Sequence, residues 1–294
     1  MTATLTIGDV RIDRVLETEG PIFALDYLLP AAPPDLIDAH ADWLMPRYVD
    51  PASRTLILSF HSLLVRTPRQ TILVDACIGN DKERLTRPPW HHAQFPFLEN
   101  LARHGVGPDD IDVVLCTHLH ADHVGWNTRL VDGRWVPTFA NATYIFGRRE
   151  YAHWEAENRK APPDEPLNHG SFTDSVLPVM EAGRVQLVED DHEIDRGIWL
   201  EPAPGHTPGN VVIRIERGGQ RALLVGDAMH SPAQFADPGL HTRFCSDPAQ
   251  SAETRIRLID EVAETDTSFL TAHFPTPTFG RIVRRGDAFG FDDL

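Results

Sequence analysis

At 294 residues the chain is long enough to bury a substantial core without disulfide or metal staples. Its 43 acidic against 27 basic side chains leave a formal charge of −16, which repels phosphate backbones and anionic membrane surfaces and argues against nucleic-acid or membrane binding. Three widely spaced cysteines, Cys77, Cys116 and Cys245, suit a reducing compartment and free thiols buried as small hydrophobes better than a disulfide framework, which with no signal-like start and no membrane-length apolar run predicts a soluble, cytoplasmic protein.

Residues 4–16 and 54–76 are rich in β-branched and large apolar residues with partial alternation, which predicts strands and hairpins. Between them the proline-rich stretch 30–51 shows no sustained period and reads as a long surface loop or short helical turn, of the kind that borders sites. In 92–106, Phe97, Leu98, Leu101 and Val106 fall at roughly helical spacing, with Gly105 at the C-terminal end. The apolar run 111–117 is then a buried strand. Residues 142–147 predict a strand and 148–158 a helix, followed by a proline-rich break at 161–166. A helix near 171–182, strands near 185–189, 198–203, 210–216 and 221–226, a helix across 248–264 and a strand at 268–273 complete the chain. Strands and helices are mixed throughout with no compositional boundary, so the expectation is one α/β domain over 1–294.

Several apolar strands end in a turn that carries His or Asp, and the densest is "VLCTHLHADHVGWNT", Val114 to Thr128. In an extended segment residues two apart point the same way, so His118 and His120 can offer both imidazoles to one metal ion. If the chain then turns into a helix, Asp122 and His123 swing toward a second ion. Two divalent ions need about seven or eight protein and solvent ligands, and this segment supplies four. The missing donors have candidates in His206 of "APGHTPGN", Asp227 of "LLVGDAMH" and His273 of "FLTAHFP", which complete a set of five histidines and two aspartates.

H-x-H-x-D-H, a His in G-H-T-P-G, an Asp in a G-D turn and a late His after a strand together resemble the metallo-β-lactamase superfamily of metal-dependent hydrolases. The resemblance runs from the "LVDA" turn containing Asp75 to His273, in the family's order. It implies a four-layer αβ/βα sandwich with two metals in a cleft along one edge of the sheets. By the same resemblance His118, His120 and His206 hold one metal, Asp122, His123 and His273 the other, and Asp227 bridges them, while Asp75 supports the metal histidines from behind. A hydroxide shared by two metals is a strong nucleophile, because coordination lowers the pKa of water from about 15.7 toward ~7. All-N/O ligation fits zinc first, with manganese, iron or cobalt chemically acceptable.

Within the superfamily, the common zinc β-lactamases carry cysteine where this chain has Asp227, and the charge of −16 disfavours the polyanion-cleaving members. Small-molecule lactones, esters and phosphotriesters remain as the expected substrates. Alternatives are an acyl-homoserine lactonase, an iron-containing redox protein of the same fold and a phosphodiesterase. Acyl-homoserine lactonases typically place tyrosine three residues after the bridging aspartate, where this chain has His230, and the "DAMHSPAQ" turn is more similar to methyl parathion hydrolase-like enzymes. Asp122, Asp227 and His230 are the candidate catalytic residues. His230 either bonds the substrate oxygen, protonates the leaving group or merely bonds a backbone carbonyl.

Among the other candidates, His61 reads as a mid-strand packing residue and Trp126 as packing behind the metal motif, while His91 and His92 could line a pocket mouth. The apolar residues of segment 20–50 could pack on the partner subunit of a homodimer.

Overall fold

The computed structural model describes residues 4–162, 165–286 and 288–294, so part of the proline-rich break at 161–166 lies outside the described residues. The backbone gathers into two compact units. One takes residues 9–18 and 60–190; the other takes the strand Thr4–Ile7 with residues 19–59 and 191–294. The long strands Val10–Ala24 and Thr55–Arg66 contribute residues to both.

The 60–190 unit is built on parallel strands in the order Thr71–Val74, Val113–Leu115, Thr143–Gly147 and Val185–Val188. The end of Thr55–Arg66 pairs antiparallel with Thr71–Val74. Parallel strands with both faces covered read as continuous apolar runs, and "TILV", "VVL" and "YIFG" are such runs. Their side chains meet Phe97, Trp126 and Phe139 in one core cluster. The helix Arg148–Lys160 turns Tyr151 and Trp154, three residues apart, onto this core and keeps the Glu155–Arg159 and Glu157–Lys160 pairs on its outer face.

In the other unit seven strands run in chain order from Glu193–Asp195 to Ala288–Asp293. All neighbours are antiparallel except Gln220–Leu224 and Ser268–Leu270, which are parallel and therefore need a crossover, supplied by the helix Pro248–Val262. That helix begins with Asp247 capping Gln250 N–H and Pro248 at the first position. The expected loop 30–51 contains the short helices Leu36–Ala39 and Ala41–Leu44. Leu25, Leu28, Leu29, Leu36, Ile37 and Leu44 are buried in this unit's own core, while Tyr27 is exposed.

Elsewhere the differences from the sequence pattern have local causes. The expected helix at 171–182 opens as a π-helical turn, Phe172–Val176, before Leu177–Glu181. The hairpin Thr128–Val131/Arg134–Pro137 is not anticipated because its strands are four residues long and largely exposed. Asp132 and Gly133 give it the two successive positive φ angles, 49° and 75°, of a two-residue turn. The strands Glu193–Asp195, Phe279–Arg285 and Ala288–Asp293 are likewise short or interrupted by charge.

One close approach fixes the metal motif against the preceding strand. Gly125 N–H donates to Cys77 O and Trp126 N–H to Ala76 O, both at 2.7 Å, and a Cβ at Gly125 would lie 1.8 Å from Ile78 O. Gly125→Ala is therefore expected to destabilise the chain by about 2–4 kcal/mol in denaturant unfolding, a backbone clash that repacking of side chains cannot relieve.

Candidate metal centre

In parallel sheets ligand-bearing turns lie at the carboxyl ends of the strands. The 60–190 unit follows this rule: Asp75 leaves Thr71–Val74, the 117–123 loop leaves Val113–Leu115, and Glu150 follows Thr143–Gly147. Thr117 is held by Asp75, which accepts from its backbone N–H at 2.8 Å and from its hydroxyl at about 3.0 Å. The other side of the same carboxylate lies 3.0 Å from His123 Nδ1. Thr117 Oγ1 is 3.1 Å from His118 Nδ1.

Nδ1 of His118 meets the Thr117 hydroxyl and Nδ1 of His123 lies beside Asp75, which leaves Nε2 of each ring on the side away from those groups. His118 Nε2 stands 3.0 Å from His120 Nδ1, close to the roughly 3.3 Å edge of a tetrahedron with 2.0–2.1 Å metal–nitrogen bonds. Asp122 lies one residue from His123, its Oδ2 3.9 Å from that ring. His118 and His123 are fully buried, whereas His120 and Asp122 are partly open. The His120 ring rests edge-on against Trp154, whose Nε1 donates to Glu150.

In the second unit the same logic brings His206, Asp227 and His273 to one sheet edge. Asp227 and His273 follow the two parallel strands, and His206 sits in the turn joining Ile198–Pro202 to Val211–Arg217. Asp227 Oδ2 lies 3.2 Å from His206 Nε2 and 2.9 Å from His230 Nε2, and its Oδ1 lies 3.0 Å from His273 Nε2. One carboxylate thus turns each oxygen to a different imidazole, the disposition a bridging ligand needs. His273 Nδ1 is 3.0 Å from Ser59 O, which fixes the tautomer that leaves Nε2 free to ligate.

His206 is braced differently. Gly205, at φ 125°, lets the loop pass so close to the Pro248–Val262 helix that a Cβ would lie 2.2 Å from Ser251 N. Ser246 N–H then donates to His206 O at 2.8 Å, and Cys245 Sγ comes 3.7 Å from His206 Nδ1. Cys77 and Cys116 are buried as expected, but Cys245 is half-buried beside a candidate ligand. Burial pushes its thiol up, and the His206 contact outweighs this and brings it down to about 7. Burial likewise lowers His206, but the Asp227 carboxylate outweighs it and lifts the ring to about 9. For His230 burial wins over Asp227, and the ring falls to about 4.

His230 is fixed by its backbone: its N–H donates to Gln234 Oε1 at 2.8 Å, and Gln234 Nε2 donates to Leu240 O. Its ring makes no aligned hydrogen bond among the described residues, and with Asp227 and His273 it forms a group able to hold an ion. Arg255, fully buried, donates to Ala228 O and Pro238 O and so clamps the loop carrying Asp227 and His230.

Other expected roles resolve locally. His61 is buried in its strand. His91 Nδ1 accepts from Arg84 N–H and His92 Nδ1 lies 3.2 Å from Asp81 O, so both brace their own loop. Trp126 stacks on Phe97 and donates to buried Glu17 at 2.7 Å, a packing role. Glu17 also accepts from Ile78 and Gly79 N–H, and burial raises its carboxyl to about 7. Glu17, Glu150, Cys245 and Arg255 carry no spacing that would single them out in the sequence.

The sequence profile of the metallo-beta-lactamase superfamily matches residues 61–273. The chain belongs to that superfamily and has the metallo-β-lactamase fold. An N-acyl homoserine lactonase of Bacillus cereus is 29% identical over 161 residues, 53% of this chain, and the chain spans only about half (54%) of that relative's length. The N-acyl homoserine lactonase AiiB of Agrobacterium fabrum is 26% identical over 285 residues, 91% of this chain and 98% of the relative. Among solved structures, the hydrolase AbOPH superposes with a TM-score of 0.81 at 22% identity, over 100% of this chain and 97% of its own. AidC, a dizinc quorum-quenching lactonase, gives 0.74 at 18%, with the same coverage.

If Asp75 orients His123 and, through Thr117, His118, then Asp75→Ala should lower zinc affinity by about 10- to 100-fold, measured by competition with a chromophoric chelator.

Proposed function

We propose that the chain, residues 1–294 acting as one metallo-hydrolase domain, is a dinuclear metal-dependent hydrolase of small lactones and esters. His118, His120 and His206 would hold one ion, Asp122, His123 and His273 the other, and Asp227 would be shared by both. The observation that carries this reading is the Asp227 carboxylate with one oxygen facing His206 and the other facing His273. The 118–123 loop adds the imidazoles of His118 and His123, whose Nδ1 atoms lie against Thr117 and Asp75. All the donors are nitrogen or oxygen, so zinc fits first. Bound there, divalent ions supply Lewis acidity toward the substrate oxygen and lower the pKa of water.

The protein's own part is to hold its groups in place. Asp227, held among three imidazoles, would accept a hydrogen bond from the attacking water. His230, neutral near pH 7, donates a hydrogen bond to the substrate oxygen rather than a full proton. Lactones are favoured as the substrate class because the curated relatives of known name are N-acyl homoserine lactonases, one of them matched along 98% of its length. His230 stands where those enzymes typically carry tyrosine, so the substrate contact differs here. The charge of −16 supports a small, neutral or weakly anionic substrate over nucleic acid.

Metal analysis of the zinc-loaded chain should find two ions per chain. A panel of lactones, aryl esters, phosphotriesters and phosphodiesters should show turnover of lactones and esters, lost on chelation and restored by zinc. Asp227→Ala should fall to the rate of the no-enzyme control, whereas His230→Ala with both zincs retained should lose part of kcat. A coloured, iron-loaded chain without hydrolysis would establish the redox reading instead, and turnover confined to phosphodiesters would displace the lactone assignment.

A further inference from the structure

We propose that Asn168 is a positioning residue for the metal loop, clamping the backbone on both sides of His120; this rests on the metal-centre reading above. Its Oδ1 accepts from Ala121 N–H at 3.0 Å and its Nδ2 donates to Leu119 O at 2.7 Å. Leu119 N–H donates to Glu150, which ties the peptide group before Leu119 as well.

The need for such a clamp follows from the local geometry. Ala121 opens the short helix Ala121–Val124, and the first N–H groups of any helix lack partners within it. The residue before it would ordinarily cap them with its side chain, but that residue is His120, which makes no capping bond because its imidazole faces His118. Asn168 supplies the acceptor that a metal-binding residue cannot.

Asn168 reaches this position at a conformational cost. It and His169 take left-handed backbone angles in succession, φ 48°, ψ 40° and φ 55°, ψ 23°. Non-glycine residues persist there only when their surroundings over-determine them. Here Arg84, fully buried, donates to His169 O at 2.9 Å and grips Asp174 with both guanidinium arms. Thr86 Oγ1 meets His169 Nδ1 at 2.7 Å, and Lys82 packs beside Asp174 and Thr128. The 82–86 loop thereby locks the arm whose tip holds the metal loop.

Glycine is the variant that separates positioning from folding, because Asn168→Gly relieves the left-handed strain while removing the clamp. Zinc affinity of the full chain is read by chelator competition, alongside the melting temperature of the metal-free chain. The expected result is a loss of about 10- to 100-fold in affinity for the ion assigned to His118 and His120, with the metal-free melting temperature unchanged or raised. Asn141→Ala, which removes an exposed side-chain bond to Asp109 O, should leave affinity unchanged. If Asn168→Gly does not fold, Asn168→Asp keeps the acceptor toward Ala121, loses the donor toward Leu119 and carries the same measurement. Wild-type affinity for both zincs in the clamp variant overturns the inference and leaves the metal centre standing. A wild-type chain that takes up no zinc overturns both.

Discussion

Asp227 is buried with three imidazoles within 3.2 Å of its two oxygens. An isolated carboxylate taken out of water costs several kcal/mol, so it persists only where positive charge and hydrogen bonds answer it. Much of its unit is arranged around that requirement. The carboxylate lifts His206 against the pull of burial, while His230, beside the same oxygen, is driven the other way. Two chemically identical rings at one carboxylate are thereby set to different proton affinities. Arg255 holds the loop from below through two carbonyls rather than through a carboxylate, so it adds rigidity without drawing Asp227 away from the histidines.

Placement of these groups is a consequence of strand direction. Where two neighbouring strands run parallel, both send their following turns to the same edge, and each unit contains such neighbours: Thr71–Val74 with Val113–Leu115, and Gln220–Leu224 with Ser268–Leu270. Apolar strands of three to five residues are short enough that the turn after them begins at the edge of the core, where side chains are buried on one side and reachable on the other. His118 and His123 are on the enclosed side of their turn, and His120 and Asp122 on the open one. Supporting groups come from the next layer inward: Asp75 for His123, Ser59 O for His273, Cys245 for His206.

How legible this was in the sequence varies with the kind of signal. The dense His/Asp turn, the G-H-T-P-G loop and the G-D turn could be read because each puts ligating residue types at fixed offsets after an apolar strand, and the family and fold follow from their order. Asp75 was visible for the same reason. Asn168 and Glu150 were not, because each acts by bonding backbone groups dozens of residues away, and no local period records such a partner. The π-helical turn at Phe172–Val176 hid for a related reason: a helical apolar spacing does not distinguish one winding from another, and Asp174 is held there by Arg84 from a distant loop. The apolar residues of segment 20–50 show the limit from the other side. Their hydrophobicity was plain, but only the folded chain shows that Leu28, Leu29 and Leu44 pack with Leu56 and Leu58 inside their own unit.

Donors brought together only by folding do not form a site in the unfolded chain, so on the proposed reading free energy of metal binding would also be free energy of folding. The supporting contacts then have a double role. Each Nδ1 partner that fixes a ring before an ion arrives removes conformational entropy that binding would otherwise have to overcome, and so raises affinity without adding a ligand. Buried side chains such as Arg84, Lys82 and Arg255 gain nothing from water, yet they hold in place the loops that carry or clamp the ligands. Preformed ring geometry would offset part of the cost of burying them on binding an ion, and Asp75, Asn168 and His169, next to the candidate chemistry, are among the residues that keep left-handed backbone.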